Sequence, residues 1–240
     1  MKGIVLSGDS GSRLYPLTLG IPKQLLPIYN RPMVYYPIET LVKAGVTDIL
    51  LVTTREHQSA FVKYLGDGQE LGCRISYAIQ DEPKGIAEAL MIGKPFIGKD
   101  AVCLITGDTL FLGNISSCLA KAIRAVKKSG NATIFVSREM DPGQYGKLMT
   151  GHTIVGDSEE RYFKSITGLY VFPKGVAQKI RNVQPSERGL LEITSVSLLY
   201  QAEEKLQIQE LPSDCQWLDT NSFDNLLKCN VIMQKQSKQL

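Results

Sequence analysis

The chain has 240 residues, 43% of them hydrophobic and 21% charged, with a formal net charge of +3 at pH 7. This length suits one large α/β domain or a domain with a small appendage, and the composition is that of a soluble globular protein. So small a charge excess gives no basis for nucleic-acid binding or for attachment to an anionic membrane. No apolar run reaches the roughly 18 residues of a membrane span, and the first residues run straight into a strand. The expectation is a cytoplasmic protein without leader or membrane segment. Cys73, Cys103, Cys118, Cys215 and Cys229 are scattered without C-x-x-C spacing and read as reduced, mostly buried thiols. His57 and His152 are too far apart for a zinc site.

The chain opens on an apolar run, Ile4 to Leu6, that ends in a small-residue loop, Ser7 to Ser12. Such a run reads as a buried strand of a parallel sheet. Gly8 and Gly11 can take positive φ and let a ligand approach the backbone, and a turn of this kind can aim several N–H groups at one anion. Arg13 at the loop's exit and Lys23 beyond it would suit a polyphosphate. The competing reading is a glycine-rich turn that only redirects the chain. The loop matches neither the dinucleotide fingerprint nor the Walker loop.

Met33 to Ala44 then reads as a helix with Pro32 near its start. Asp48 to Thr53 reads as a strand, Gln58 to Leu65 as a helix and Cys73 to Ile79 as a strand. A helix over Ile86 to Phe96 and a strand over Ala101 to Ile105 follow. This alternation implies βαβ units and a mostly parallel sheet, with ligands at the carboxyl ends of the strands. The loops at 7–13, 80–85 and 106–111 all lie at those ends and are expected to converge on one crevice. In the second half, helices are expected over 115–129, 192–204 and 221–234, and strands over 132–137, 167–172 and 206–211. They are expected to roof the crevice rather than form an independent domain.

Two loop segments carry chemistry on their own terms. Gln80 begins Gln-Asp-Glu-Pro-Lys-Gly85. Its side chain offers both a donor and an acceptor, which suits a pyrimidine edge, and an ordinary polar turn is the alternative. Asp108 sits in Thr106-Gly-Asp-Thr-Leu-Phe111 at the end of a strand, a common place for a carboxylate that holds a divalent cation and also for a turn aspartate.

Taken together, the motifs resemble those of the sugar-phosphate nucleotidyltransferases, most closely the glucose-1-phosphate thymidylyltransferase group. Leu6-Ser-Gly-Asp-Ser-Gly-Ser-Arg-Leu-Tyr-Pro-Leu-Thr18 and Pro22-Lys-Gln-Leu-Leu-Pro27 are similar to G-G-x-G-T-R-L-x-P-x-T followed by P/S-K-x-L-L-P. The Gln80 segment resembles Q-x-x-P-x-G-L-A-Q-A, and the Asp108 segment L-G-D-N-x-F/Y. Trp217-Leu-Asp-Thr-Asn-Ser222 resembles W-x-D-T-G-T, and Gln144-Tyr-Gly146 resembles R-Y/F-G. Thr167-Gly-Leu-Tyr170 resembles V-T-G-L-Y, and Arg188-Gly-Leu-Leu-Glu-Ile-Thr194 resembles R-G-E-L-E-I-T.

The resemblance covers nearly the whole chain and implies a Rossmann-like α/β fold: a mostly parallel twisted sheet flanked by helices, with a smaller sugar-side insertion. It implies a single domain over 1–240, with a nucleotide-binding half at about 1–112 and a sugar-binding half at about 113–240. The implied reaction is in-line attack of glucose-1-phosphate on the α-phosphate of dTTP, giving dTDP-glucose and pyrophosphate. Arg13 and Lys23 would be catalytic. Leu6, Gly8, Gly11, Ser12, Gln80, Pro83, Gly85 and Asp108 would meet the nucleotide. Gln24, Tyr145, Gly146, Thr167, Gly168, Tyr170, Glu192 and Arg161 would meet the sugar phosphate. Mg²⁺ would sit on Asp108 and Asp219, a donor set that phosphate oxygens and water complete. The implied assembly is a homo-oligomer, a tetramer or dimer. The chain resembles the short members, which lack the C-terminal extension that helps build a regulatory site.

The sequence departs from the pattern at several positions. Asp9 stands where the family has its second loop glycine. A carboxylate about 5 Å from a phosphate charge costs roughly 3 kcal/mol at an effective dielectric near 20, about a hundredfold in binding. Asp9 pointing outward, or onto the metal, are the other placements left open. The family's E-E-K-P is missing between Gly146 and Thr167. Glu159-Glu160-Arg161 or Lys164 are the stand-ins for its cation. Thr109 replaces Asn, Leu190 replaces Glu, Asn221 replaces Gly and Ser12 replaces Thr. An impaired paralogue that binds nucleotide or sugar nucleotide without turnover is therefore the alternative to an active enzyme, as is use of UTP or another hexose-1-phosphate.

Overall fold

The computed structural model describes residues 1–139 and 163–237. The chain enters through β1 (Lys2–Ser7), makes a small hairpin of β2 (Pro27–Ile28) and β3 (Arg31–Pro32), and continues into α1 (Tyr35–Lys43). Next come β4 (Asp48–Thr53), α2 (Gln58–Leu65), β5 (Arg74–Ile79), α3 (Glu88–Ile92), α4 (Lys94–Ile97) and β6 (Val102–Thr106). The second half holds β7 (Leu110–Leu112), α5 (Ile115–Ser129), β8 (Ala132–Glu139), β9 (Phe163–Phe172) and α6 (Val176–Lys179). It closes with α7 (Ile193–Ala202), β10 (Leu206–Glu210), β11 (Gln216–Leu218) and α8 (Phe223–Ser237).

Seven strands form the central sheet in the order β10-β8-β9-β6-β1-β4-β5. Only β9 runs against its neighbours, pairing antiparallel with β6 and β8. The other pairings are parallel. Both faces of the sheet are covered at its centre, which is why β1, β4 and β6 are nearly continuous apolar runs rather than alternating. Ile4, Leu6, Leu50, Val52 and Leu104 pack toward α3 and α7 in one core. Val5, Ile49, Leu51, Cys103 and Ile105 pack toward α1, α2 and α5 in the other. The expected mostly parallel α/β sheet is thus observed, with β1 at its centre between β4 and β6.

At the amino edge of three adjacent strands, Asp48 takes a salt bridge from Lys2 and another from Arg74 at 3.0 Å. Burial opposes ionisation of Asp48, but these two cations outweigh it and hold its carboxyl below the ordinary value. A depressed carboxyl stabilises the fold above its unfolded pKa and loses that contribution as pH falls. Asp48→Asn is expected to cost about 1 kcal/mol at pH 7 in urea unfolding, since the triad is partly solvated. The difference from wild type should close as the pH drops below the ordinary aspartate value of 3.8 and through the lowered one. A gap that persists undiminished in acid would contradict this account.

Three features differ from the sequence reading. The helix read over 86–96 is two short helices, because Pro95 has no N–H to donate and restarts the helix at its first turn. The strand read over 167–172 begins earlier, at Phe163. Strands β7 and β11 had no signal in the sequence, since three residues are too few to show a period. They pair antiparallel, with Leu110 opposite Leu218. This ribbon, packed under α8 in a third apolar cluster with Ile28 and Met33, carries the C-terminal segment back to the end of β6.

Candidate active site

Because β1, β4, β5 and β6 are parallel, their carboxyl ends share one edge of the sheet. The loops expected to converge there do so. Gly107 N–H donates to the Leu6 carbonyl at 2.8 Å, tying the loop after β6 to the end of β1. A Cβ on Gly8 would collide with Gln80 Oε1, so the loop after β5 reaches the loop after β1 at a position where only glycine fits.

The loop after β1 is a compact cradle. Gly11 sits at φ 63°. A Cβ there would be 2.8 Å from both Lys23 Cβ and Thr18 Cγ2. Thr18 Oγ1 donates to the Gly11 carbonyl at 3.1 Å, and Gly11 N–H donates to Asp9 Oδ1 at 3.2 Å. Asp9 is exposed, with its carboxylate turned back onto one of the loop's own amides. Ser12 and Arg13 are also exposed, on a single 3-10 turn anchored by buried Leu14. Arg13 can thus swing toward an incoming anion.

Lys23 is the opposite case. It lies on a 3-10 turn, Lys23–Leu25, and is 1% exposed. Its Nζ donates to Asp108 Oδ2 at 2.5 Å and to Asn221 Oδ1 at 2.7 Å. Asn221 Nδ2 in turn donates to Asp219 Oδ1 at 2.5 Å. The β7–β11 ribbon makes this possible, since Asp108 just precedes one strand and Asp219 just follows the other. Thr220 Oγ1 also donates to the Asp108 carbonyl at 3.4 Å. Burial opposes ionisation of Asp108. The charge and hydrogen bond of Lys23, with smaller help from Thr106, hold its carboxyl below the ordinary value.

The residues around these carboxylates fit a divalent cation. Asp108 and Asp219 are all-oxygen donors brought to one place by Lys23 and Asn221. Beside them, Gln24 Oε1 and Ser7 Oγ are buried without a hydrogen-bond partner among the described residues. Both side chains crowd Gly107, where a Cβ would lie 3.1 Å from Gln24 Cγ and would collide with Ser7 Oγ. Buried polar atoms left without a protein partner mark a place for a ligand or water. No group of three or more His, Cys, Asp or Glu occurs among the described residues, so further ligands would come from substrate and solvent.

Gln80 is 2% exposed. Its Nε2 donates to Glu88 Oε2 at 2.7 Å and to the Gly85 carbonyl at 3.4 Å. Those two acceptors fix the amide so that Oε1 faces the Gly8 loop. Gly85, at φ 105°, lies against the backbone of Leu191, which exchanges hydrogen bonds with Lys84 and Ala87 at 2.7 and 3.1 Å. Pro83 is exposed on the same loop. Glu192 follows Leu191 directly, and its Oε1 accepts from Arg188 Nη2 at 2.8 Å and Ser186 Oγ at 3.1 Å. The loop from β5 and the entry to α7 are thus joined through backbone.

Two expected sugar-side residues, Tyr170 and Thr167, are buried. Tyr170 is a core residue, 3% exposed, its ring stacked on Phe172 with centroids 6.0 Å apart. On β9 its side chain packs in the same apolar cluster as Ile4 and Leu104. Thr167 donates its hydroxyl to the Phe135 carbonyl at 3.1 Å, and its carbonyl accepts from Thr109 Oγ1 at 3.0 Å. Gly168, at φ 81°, makes room for the Thr106 and Thr109 hydroxyls. Thr109 thereby ties the end of β6 to β9. Leu6 is likewise a core side chain that offers the site only its backbone. Tyr145, Gly146 and Arg161 lie outside the described residues. Asn221 and Asn225 are site residues that the sequence reading did not single out as functional. Asn221 carried a signal, as the departure from W-x-D-T-G-T.

A glycine cradle, a buried lysine and two carboxylates thus gather at the carboxyl end of the central strand. A nucleotidyl transferase family model matches residues 2–236. The chain is 39% identical over 240 residues to a glucose-1-phosphate thymidylyltransferase of Neisseria meningitidis, covering 98% of this chain and 83% of that one. It is 40% identical over 233 residues to that of Mycobacterium tuberculosis, covering 95% and 80%. A Bacillus anthracis protein provisionally named a glucose-1-phosphate thymidylyltransferase, solved in complex with sucrose, superposes with a TM-score of 0.83 at 32% identity over 97% of this chain and 94% of that one. A UDP-glucose pyrophosphorylase solved with UDP-glucose shares the fold, with a TM-score of 0.77 at 20% identity over 98% of each chain. Motifs, site geometry and likeness along the whole chain agree, and the chain belongs to the nucleotidyl transferase family.

Proposed function

We propose that this protein is a glucose-1-phosphate thymidylyltransferase, transferring the thymidylyl group of dTTP to glucose-1-phosphate and releasing pyrophosphate. The observation that carries the reading is the buried Lys23 ammonium, held between Asp108 and the Asn221–Asp219 pair at the carboxyl end of β1 and β6.

The chemistry asks little of a protein base, because the sugar phosphate is already an anion at neutral pH. The barrier is repulsion between two phosphates, so the work is positioning and placing positive charge where negative charge accumulates. The Gly8–Gly11 loop offers backbone N–H groups to the triphosphate, and exposed Arg13 closes on it. Lys23 donates to the reacting phosphates from a pocket that excludes water. Asp108 and Asp219 would hold Mg²⁺, which when bound would supply neutralisation of phosphate charge. Gln80 Oε1, an acceptor, suits the N3–H of thymine or uracil and would repel the N3 lone pair of cytosine. Glu192, held by Arg188, is placed to accept sugar hydroxyl groups.

The test is Mg²⁺-dependent pyrophosphate release with dTTP and glucose-1-phosphate, run beside UTP and galactose-1-phosphate. Fastest turnover with dTTP and glucose-1-phosphate is expected, and no release with any pair would sink the reading.

One observation favours an impaired or tuned site. Asp9 occupies the Gly11 N–H that a phosphate oxygen would take. Because Asp9 is exposed, solvent screens its charge, and the penalty is smaller than for a carboxylate facing the phosphate directly. Asp9→Gly is expected to lower the KM for dTTP about tenfold with little change in kcat. An unchanged KM would mean that Asp9 swings clear when nucleotide binds.

A further inference from the structure

We propose that Asn221 and Asn225 form a clamp that positions the Asp219 carboxylate for a divalent cation and ties it to Lys23. This rests on the cation reading of Asp219 given above, and names what makes that carboxylate competent in this chain.

Both oxygens of Asp219 receive amide donors. Oδ1 accepts from Asn221 Nδ2 at 2.5 Å and from the Asn221 backbone N–H at 3.0 Å. Oδ2 accepts from Asn225 Nδ2 at 2.9 Å. The orientation of the Asn221 amide is dictated by its neighbours, since Lys23 can only donate and an ionised Asp219 can only accept. Its oxygen therefore faces Lys23 and its nitrogen faces Asp219. Asn225 is fixed by a backbone bond of its own, its N–H donating to Ser222 Oγ at 3.1 Å in the first turn of α8.

The division of labour follows from lone pairs. Each carboxylate oxygen can accept two bonds. Oδ1 has taken both, whereas Oδ2 has taken one and keeps a position for a cation. Asn225 thus aims the ligating oxygen, and Asn221 locks the other and passes the restraint to Lys23. A glycine at 221, as in the W-x-D-T-G-T pattern, could give only the backbone bond. This chain has replaced backbone freedom with a side-chain bridge between the two halves of the site. Hydrogen bonds to a ligating carboxylate commonly change metal affinity about 10- to 100-fold.

The experiment is a titration of the full-length protein with Mn²⁺ alone, followed by the loss of its free-ion EPR signal. Wild type, Asn221→Ala, Asn225→Ala and Asp219→Asn are compared, with thermal melts to verify folding. Each asparagine variant is expected to bind Mn²⁺ about tenfold more weakly than wild type, and Asp219→Asn more weakly still. In turnover assays the Mg²⁺ concentration for half-maximal rate should rise in parallel, while the KM for glucose-1-phosphate stays put. Should Asn225→Ala lose its fold, Asn225→Leu keeps the side-chain shape without the donor and repeats the measurement. Asparagine variants that bind Mn²⁺ like wild type, while Asp219→Asn does not, would overturn the clamp alone. Normal Mn²⁺ binding by Asp219→Asn would overturn the cation reading of Asp219 and the clamp with it.

Discussion

Lys23→Met is expected to lower kcat by about a hundredfold to a thousandfold, about the loss seen when one preorganised donor to developing charge is removed. Methionine preserves the apolar stem that packs under the Gly11 loop and removes only the ammonium. The size of the effect comes from burial. Lys23 is 1% exposed, so no water can replace its charge at the phosphates. Arg13 is no substitute, because it is exposed on the Ser12–Leu14 turn and solvent screens its charge. The measurement is single-turnover pyrophosphate release at saturating dTTP and Mg²⁺. A Lys23→Met protein that keeps a rate within a few-fold of wild type would remove Lys23 from the reaction and leave it a purely structural ion-pair partner.

Asp108→Asn is expected to lower both activity and stability, for separable reasons. The substitution leaves the Lys23 ammonium buried opposite a neutral amide. Breaking a buried pair by removing one partner typically costs about 3–5 kcal/mol, because the remaining charge is uncompensated. Here the carboxylate side is 20% exposed, which places the expectation near the lower end, about 3 kcal/mol in urea unfolding. The double variant Lys23→Met/Asp108→Asn, with no charge left to bury, should recover more than half of that stability. It should recover none of the activity, since both the cation and a metal ligand are gone. Equal unfolding midpoints for wild type and Asp108→Asn would show that the pair contributes nothing to the fold. Rescue of turnover in the double variant would show that the two residues are not part of the chemistry.

The parts of the site that were legible in the sequence share a physical trait: each is a local constraint. Gly11 stood out because its positive φ and its close contacts with Lys23 and Thr18 favour glycine, Gly8 because the chain approaches Gln80 there, and Asp108 because it ends an apolar strand. Gln80 was legible as an amide between a strand and a glycine. Its meaning came from Glu88, which takes the amide nitrogen and turns the oxygen to the site. Tyr170 illustrates the limit. A tyrosine beside a glycine in a matching motif reads as a sugar contact. Which face of β9 it takes is set by the register with Leu104 and Ile134, and that register sends the ring into the core. Asp9 was visible as a misplaced charge, but its exposure and its bond to the Gly11 N–H were not.

The sequence by itself determined the layered α/β architecture and its family. Strand and helix periods, loop glycines and motif order are written within short windows, where local backbone and burial preferences act. It did not determine how Lys23 meets its partners. Lys23, Asp108, Asn221 and Asp219 come from four separate segments, and what unites them is the pairing of β7 with β11. Those strands are three residues each and carry no period of their own. They form because Leu110 and Leu218 bury against Ile28, Met33 and α8. That apolar cluster exists only once the chain has closed on itself, so the site's central contact belongs to the tertiary structure alone.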